Sequence, residues 1–162
     1  MDNVAEFQRL MGECLQRWQL VEHLSYLIFQ HLAECRTERV GSLIYFATRG
    51  SDRKTDLLDT LACELLKDKQ LAEWKALVSR IRAANKMRDR IAHFTVVAVA
   101  DNEAQNYELW PTPHDVSNAG ASAISKRVPV AALKRFIADT QQVSFDLNKF
   151  RLALWTTFGK PR

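Results

Sequence analysis

The sequence predicts an all-α protein, an up-and-down helical bundle of about five helices with a small β-hairpin after the fourth helix. Apolar residues recur at spacings of three and four along most of the 162 residues, which places them on one face of successive helices. The chain holds only five Gly and four Pro, so we expect few turns and long helices. One β-branched run, followed by one alternating run, favours a single hairpin.

Composition indicates one globular domain over residues 1–158, followed by a short basic tail at 159–162. Hydrophobic residues make up 47% of the chain, which is enough for a core. Charged residues make up 26%, and this balance of hydrophobic and charged residues excludes wholesale disorder. The net charge of +4 and the pI of about 9.1 are compatible with a nucleic acid partner but do not require one.

Targeting and redox signals favour the cytoplasm. No segment is apolar enough to cross a bilayer, and the chain does not start with basic residues followed by an apolar run. We therefore expect a cytoplasmic protein without a membrane partner. Cys14, Cys35 and Cys63 are far apart and lack metal-ligand spacing, which indicates reduced thiols in a helical core.

The first helix is capped by Asp2 or Asn3 and continues for about thirty residues. Its apolar residues form a heptad-like stripe: Val4, Phe7, Met11, Cys14, Trp18, Val21, Ile28 and Leu32. Leu10, Leu24 and Leu27 widen this stripe, which predicts packing against several helices or against a second copy of the chain.

A polar break at residues 35–39 separates the first helix from the second, which begins at Arg36 or Thr37. We expect its buried side to consist of Val40, Leu43, Ile44 and Ala47. The sequence Gly-Ser-Asp at 50–52 ends this helix and caps the third, which extends to about Asp68.

The first turn of the third helix carries Arg53 and Lys54, whose charges oppose the helix dipole unless an anion lies nearby. An RNA phosphate would supply that anion. A solvated charge cluster explains the same residues.

The central helix begins at residues 70–73 and continues to His93. A hairpin follows, with strands at 95–100 and 106–110, and then a loop that extends to Ala123. Pro129 opens the last helix, whose apolar stripe extends to Leu154.

An arginine interrupts the apolar stripe of the central helix. The stripe consists of Trp74, Leu77, Val78, Ile81 and Ala84, and its continuation reaches Arg88. A guanidinium at such a position needs a carboxylate, carbonyl groups or a phosphate as its partner. Glu22 on the first helix is a candidate carboxylate, although a Glu there could equally face solvent.

Asp89 and His93 lie four residues apart on a second face of the same helix, and Lys86 and Arg90 share that strip. A guanidinium binds phosphate oxygens, an imidazole moves protons near neutral pH, and a carboxylate orients either group. This combination suits phosphodiester chemistry. An Arg and a His at such spacing also arise by coincidence, and a similar pair, Arg17 and His23 with five residues between them, occurs in the first helix.

The hexad at 88–93 reads Arg-Asp-Arg-Ile-Ala-His and resembles the Arg-(Asn/Asp/His)-x-x-Ala-His signature of HEPN domains. The run from Trp18 to Glu22, the polar link around residues 53–58 and the strand pair after the hexad are similar to one bacterial branch of that group. The resemblance implies an all-helical homodimer in which the Arg and His of two subunits face each other. It also implies metal-independent RNA cleavage by attack of the 2′-hydroxyl.

Carried over to this chain, the resemblance makes Arg88 and His93 catalytic and Asp89 the supporting polar residue. Asn is commoner than Asp at position 89, and Phe94 stands where a small Gly often follows the His. The toxin subgroup has a Tyr two residues past the His, where this chain has Thr95, and this argues against tyrosine modification. Many HEPN domains bind RNA without cutting it.

Two functional hypotheses follow from these residues. In the first, the chain is a HEPN-like ribonuclease or RNA-binding domain, with a substrate-binding set of Lys86, Arg90, Arg53, Lys54 and Glu22. In the second, it is a non-catalytic helical module for a protein partner, in which Arg88 forms a structural ion pair. A homodimer through the central or the first helix is expected. The sequence offers no cofactor or metal motif, neither a glycine-rich phosphate loop nor a zinc helix nor paired cysteines.

Overall fold

The computed structural model describes residues 3–35, 37–101, 104–112 and 126–158. Within them the elements are α1 (Asn3–Leu32), α2 (Glu38–Ala47), α3 (Ser51–Leu65), α4 (Asp68–His93), β1 (Thr95–Asp101), β2 (Ala104–Trp110), β3 (Val128–Pro129) and α5 (Val130–Phe158). These elements confirm the predicted class, a mostly helical chain with a small hairpin after the fourth helix. The predicted basic tail at 159–162 and residues 113–123 of the predicted loop lie outside the described residues.

Local capping and turn chemistry fix the ends of the middle helices. The Thr37 hydroxyl accepts a hydrogen bond from the Val40 backbone N–H at 3.3 Å, which starts α2 at the predicted place. Gly50 precedes α3 with a φ of +85°, a conformation that suits glycine. The third helix ends at Leu65, short of the predicted Asp68, because Leu66 turns to an extended conformation.

The chain divides into two compact units, each built from two separate segments. Unit 1 comprises Met1–Trp18 and Lys86–Asp139, and unit 2 comprises Gln19–Asn85 and Thr140–Arg162. Each of the helices α1, α4 and α5 contributes residues to both units. The single domain over 1–158 stays a prediction.

Unit 1 contains a three-stranded antiparallel sheet in the order β1-β2-β3. Thr95 lies opposite Trp110 in the hairpin, and Leu109 lies opposite Val128 on the third strand. The third strand was not predicted, because two residues carry no periodicity. Leu109 and Val128 are buried, and the unit's other buried apolar residues include Phe7, Leu10, Cys14, Ile91, Leu133 and Phe136.

The cysteines differ in their environments. Cys14 is buried in unit 1, and its thiol donates to the Leu133 carbonyl oxygen at 3.6 Å. Burial raises the pKa of this thiol to about 11. Cys35 is half-buried and Cys63 is exposed, so the predicted core placement is correct for Cys14 and wrong for Cys63.

In unit 2 the predicted apolar stripe of α4 is buried. Trp74, Leu77, Val78 and Ile81 are all inside, and Trp74 lies 5.8 Å from the ring of Phe150 on α5. The last helix also buries Leu147 and Leu154, as its own stripe predicts.

The predicted buried side of α2 is wrong. Val40, Leu43, Ile44 and Ala47 are exposed, and α2 instead buries Gly41 and Tyr45. The Tyr45 ring lies 5.4 Å from Tyr26 and 5.3 Å from Phe29, both on α1. A Cβ at Gly41 would come within 3.2 Å of side-chain atoms of Gln30 and Cys35, so the glycine permits this close approach of α2.

A polar cluster in unit 2 is centred on Asp59 of α3. The Asp59 carboxylate accepts hydrogen bonds from the Trp74 indole at 2.9 Å, from Lys75 at 3.1 Å and from Arg82 at 3.1 Å. Burial acts to raise the pKa of this carboxyl, whose side chain is only 13% exposed. The hydrogen bonds from Lys75, Trp74 and Arg82, together with the charge of Lys75, outweigh burial, so the pKa lies below its ordinary value.

None of the helices within the described residues is both long enough and apolar enough to span a membrane.

Truncation of the two sides of α2 tests which side is buried. Tyr45→Ala lowers the free energy of unfolding by about 3–5 kcal/mol, because it removes a buried aromatic ring. Leu43→Ala, at a side chain that is 63% exposed, changes it by less than about 0.5 kcal/mol. Urea denaturation followed by circular dichroism measures both. A larger loss for Leu43→Ala than for Tyr45→Ala would reverse the assignment.

Acid sensitivity tests the Asp59 cluster. Because the carboxyl has a lower pKa in the folded chain than in the unfolded chain, its stabilisation is fully present above the unfolded pKa of about 4. That stabilisation is lost as the pH falls through the folded pKa. Asp59→Asn therefore lowers the free energy of unfolding by about 1–3 kcal/mol at pH 7, and the difference from wild type shrinks toward pH 3.

The matched control for this measurement is Asp139→Asn. Asp139 is exposed on α5 and forms no ion pair within the described residues, so its replacement leaves stability unchanged at both pH values. Equal losses for the two variants would contradict the account of Asp59.

Candidate active site at the carboxyl end of α4

The last two turns of α4 carry the hexad, within unit 1. Ile91 is 1% exposed and anchors this end of the helix, while Ala92 and His93 are exposed. The Phe94 backbone N–H donates to the Arg90 carbonyl oxygen at 2.9 Å, and β1 begins directly afterwards at Thr95. The helix therefore ends immediately after His93. Cationic side chains in its last turn interact favourably with the helix dipole.

Arg88 is the half-buried member of the site. Its Nη1 donates to the Asp89 Oδ1 at 2.9 Å, and its side chain is 30% exposed. Its Nε is buried and has no hydrogen-bond partner among the described residues. The guanidinium thus has one end desolvated and the other end within reach of solvent.

Glu22, the candidate carboxylate for Arg88, has other partners. The Glu22 carboxylate accepts hydrogen bonds from Ser51 at 3.1 Å and from Lys54 at 3.4 Å, all within unit 2. Arg88 instead pairs with the residue that follows it. The sequence left Asp89 able to orient either Arg88 or His93, and in the structure it pairs with Arg88.

Asp89 orients Arg88 more than it stabilises the fold. The Asp89 side chain is 46% exposed, and an ion pair so open to water contributes about 0–1 kcal/mol. The sequence places Asp89 on the same face as His93, so it allows the Asp89 carboxylate to orient either Arg88 or His93. Its ion pair within the described residues is with Arg88.

The rest of the strip is open to solvent. Lys86 and His93 are exposed, and Arg90 is half-buried. Lysine and arginine side chains at three positions, Lys86, Arg88 and Arg90, lie beside the one carboxylate of Asp89. This excess of positive charge suits an anionic ligand.

The other predicted substrate-binding residues lie in unit 2, where Lys54 and Glu22 are partners of each other. Lys54 is 16% exposed, pairs with Glu22, and has its Nζ 5.5 Å from the Tyr45 ring centre and 5.2 Å from that of Phe46. Glu22 therefore supplies the negative charge that the first turn of α3 needs, without a phosphate. Arg53 is exposed.

Asn85 is a buried polar residue to which the sequence assigned no role. It is 2% exposed, and its Nδ2 donates to the Asp52 carboxylate at 2.7 Å. Its Oδ1 is buried without a hydrogen-bond partner among the described residues. Its position directly after Ala84, on the apolar stripe of α4, was the feature of the sequence that could have indicated a buried Asn85.

Helix geometry limits what one copy of the site can do. Arg88 and His93 are five residues apart, which places them about 140° apart around the helix and about 7.5 Å apart along it. The guanidinium and the imidazole thus leave α4 on different sides. Two copies of α4 can bring an Arg88 and a His93 to one phosphate more readily than one copy can.

Within the ranges that the structure describes, no three His, Cys, Asp or Glu side chains gather in a way that could hold a metal ion.

In comparisons with known proteins, no protein-family model matches the chain, no curated protein matches its sequence, and no solved structure matches its fold. The resemblance to HEPN domains therefore rests on the residues of this sequence.

Proposed function

We propose that the chain is a HEPN-like, metal-independent endoribonuclease or RNA-binding domain in which Arg88 and His93 act on an RNA phosphodiester. One observation carries the proposal. An arginine on an apolar stripe is half-buried, is oriented by Asp89 at 2.9 Å, and lies five residues before an exposed histidine at the helix end.

The proposed chemistry assigns one step to each group. The Arg88 guanidinium binds the scissile phosphate and stabilises the charge that grows on it. The His93 imidazole moves a proton as the ribose 2′-oxygen attacks phosphorus and the 5′-oxygen leaves. The 2′-hydroxyl loses its proton, the leaving oxygen gains one, and the products are a 2′,3′-cyclic phosphate and a 5′-hydroxyl. Lys86 and Arg90 bind flanking phosphates, and Asp89 sets the guanidinium geometry.

A homodimer is part of this proposal. Because Arg88 and His93 leave α4 on different sides, a site with both groups at one phosphate is best built from two copies of α4.

A second candidate function is a non-catalytic helical module that binds a protein partner. The ion pair between Arg88 and Asp89 favours it, since that pair gives Arg88 a structural role without any ligand.

Replacement of Arg88 by methionine distinguishes the two roles. Methionine keeps the packing of the side-chain stem and removes both the buried, unpartnered Nε and the exposed ion pair. We expect Arg88→Met to leave the free energy of unfolding within about 1 kcal/mol of wild type or to raise it, and to abolish action on RNA. A loss of several kcal/mol would instead assign Arg88 to the structural module.

Cleavage of a mixed RNA pool in EDTA tests the proposed activity. Wild type should produce 2′,3′-cyclic phosphate ends, and His93→Ala should lose at least about a hundredfold in rate if His93 moves the proton. Because His93 is exposed, the variant should unfold at the wild-type temperature.

The matched control is His23→Ala, at an exposed histidine on α1 that belongs to the coincidental Arg17 and His23 pair. This variant should cleave as wild type does. If folded wild-type protein neither cleaves nor binds the RNA pool, the proposed function is overturned in favour of the protein-binding module.

A further inference from the structure

The outer side of α2 exposes a row of apolar side chains. We call this surface the α2 face and define it by Val40, Leu43, Ile44, Phe46 and Ala47. The exposed fractions are 43% for Val40, 63% for Leu43, 48% for Ile44 and 56% for Phe46. Contiguous exposed apolar side chains on one short helix mark an interaction surface.

The α2 face cannot turn inward, because the opposite side of the helix is already occupied. Tyr45 is 2% exposed between Tyr26 and Phe29, and Gly41 permits the close approach to α1. Rotation of α2 would bring Tyr45 into solvent. The α2 face is therefore fixed outward by the core of unit 2.

The spacing of the α2 face fits a helical partner. Val40, Leu43, Ile44 and Ala47 follow the i, i+3, i+4, i+7 pattern of a coiled-coil seam. An amphipathic helix with the same spacing can lay its apolar side chains between them.

Guanidinium groups border the α2 face. Arg39 precedes it on α2, Arg49 follows the helix, and Arg53 is on the first turn of α3 beside Lys54, whose ammonium lies 5.2 Å from the Phe46 ring centre. All three arginines are exposed, and in the described part of the chain none of them forms an ion pair.

The carboxylates near these arginines offset only part of their charge. Asp56 pairs with Arg82 at 2.9 Å, whereas the exposed Asp52 accepts a hydrogen bond at 2.7 Å from the neutral amide of Asn85 and keeps its negative charge. Glu38 lies five residues before Leu43, about 140° around α2 and away from the α2 face. The three arginines outnumber the two carboxylates, Glu38 and Asp52, that have no ion pair within the described residues, so the surroundings of the α2 face carry a net positive charge.

The positive charge around the α2 face favours one kind of binding partner over another. Two copies of the chain paired through α2 would bring Arg39, Arg49 and Arg53 of each copy to one contact, and like charges across an interface are costly. A helix with Glu or Asp beside its apolar residues would pair with the same groups.

We propose that the α2 face is a docking site for an acidic amphipathic helix of a partner protein. The apolar side of that helix covers the Val40, Leu43, Ile44 and Ala47 seam, and its carboxylates pair with Arg39, Arg49 and Arg53. The site lies wholly in unit 2 and does not depend on the proposed action of Arg88 and His93 on RNA.

The test uses two labelled helical peptides and fluorescence anisotropy. The probe peptide carries Leu at three- and four-residue spacings with Glu at the flanking positions, and the control peptide carries Lys in place of every Glu. The full chain should bind the Glu peptide at least about tenfold more tightly than the Lys peptide.

Surface variants locate the binding. Leu43→Gln should weaken binding of the Glu peptide at least about fivefold, and Arg39→Glu should reduce the preference for Glu over Lys. Phe145→Gln is the matched control, because Phe145 is 66% exposed on α5, outside the α2 face. It should bind as wild type does.

Four results of the peptide measurements would overturn the proposal: failure of the Glu peptide to bind, equal affinity for the two peptides, an equal loss in Phe145→Gln, and unchanged affinity in Leu43→Gln. Sedimentation of the chain alone, and with anionic phospholipid vesicles, completes the test. Self-association or vesicle binding that Leu43→Gln removes would assign the α2 face to a second copy or to a lipid surface, and would also overturn it.

Discussion

A guanidinium held on the apolar stripe of α4 is the constraint on which the account of this protein depends. The Arg88 Nε is buried without a partner among the described residues, and its Nη1 reaches only the half-exposed Asp89. A buried donor without a partner costs about 1–3 kcal/mol, and the exposed ion pair returns less than that. The contacts of Arg88 within the described residues therefore add little stability at this position. Under the proposed function, the phosphate oxygens of a bound RNA would use the donors that the fold leaves at the surface.

The elements that the sequence predicted well are those that depend on local chemistry or on a one-sided pattern. The Thr37 hydroxyl is three residues from the Val40 N–H that donates to it, and the stripe around Trp74 on α4 has polar residues opposite it. The prediction of the buried side of α2 is wrong for a related reason. Residues 43–47 are all apolar, so periodicity gives no direction, and the burial of Tyr45 against two aromatic rings of α1 decides which side turns inward.

The candidate site was predictable in its residues but not in its contacts. The hexad at 88–93 and the end of α4 after His93 follow from the sequence alone. The partner of Arg88 does not, because several carboxylates can satisfy a guanidinium and only the tertiary structure decides which are near. Glu22 was a reasonable candidate, yet it neutralises Lys54, which itself lies against the rings of Tyr45 and Phe46. The strand at Val128–Pro129 could not be predicted from the sequence either, because only its pairing with β2 defines it.

The two surfaces of interest differ in chemistry and lie in different units. The carboxyl end of α4 in unit 1 offers cations and an imidazole, which suit a phosphate backbone. The α2 face in unit 2 offers apolar side chains with a cationic border, which suit a helix with acidic flanks. Lys54 is held by Glu22 and by aromatic rings, so it belongs to the structure of unit 2. Arg39, Arg49 and Arg53 have no such partners within the described residues.

The affinity of wild type and Arg88→Met for RNA that is 2′-O-methylated throughout tests the central claim most directly. This RNA lacks the attacking hydroxyl, so binding is measured apart from cleavage, and the stability of both proteins is measured in the same buffer. We predict that Arg88→Met binds this RNA about tenfold more weakly, because charge-assisted hydrogen bonds to phosphate are lost, and that its stability is unchanged or higher. Equal affinity for the two proteins, with a loss of stability in the variant, would contradict it.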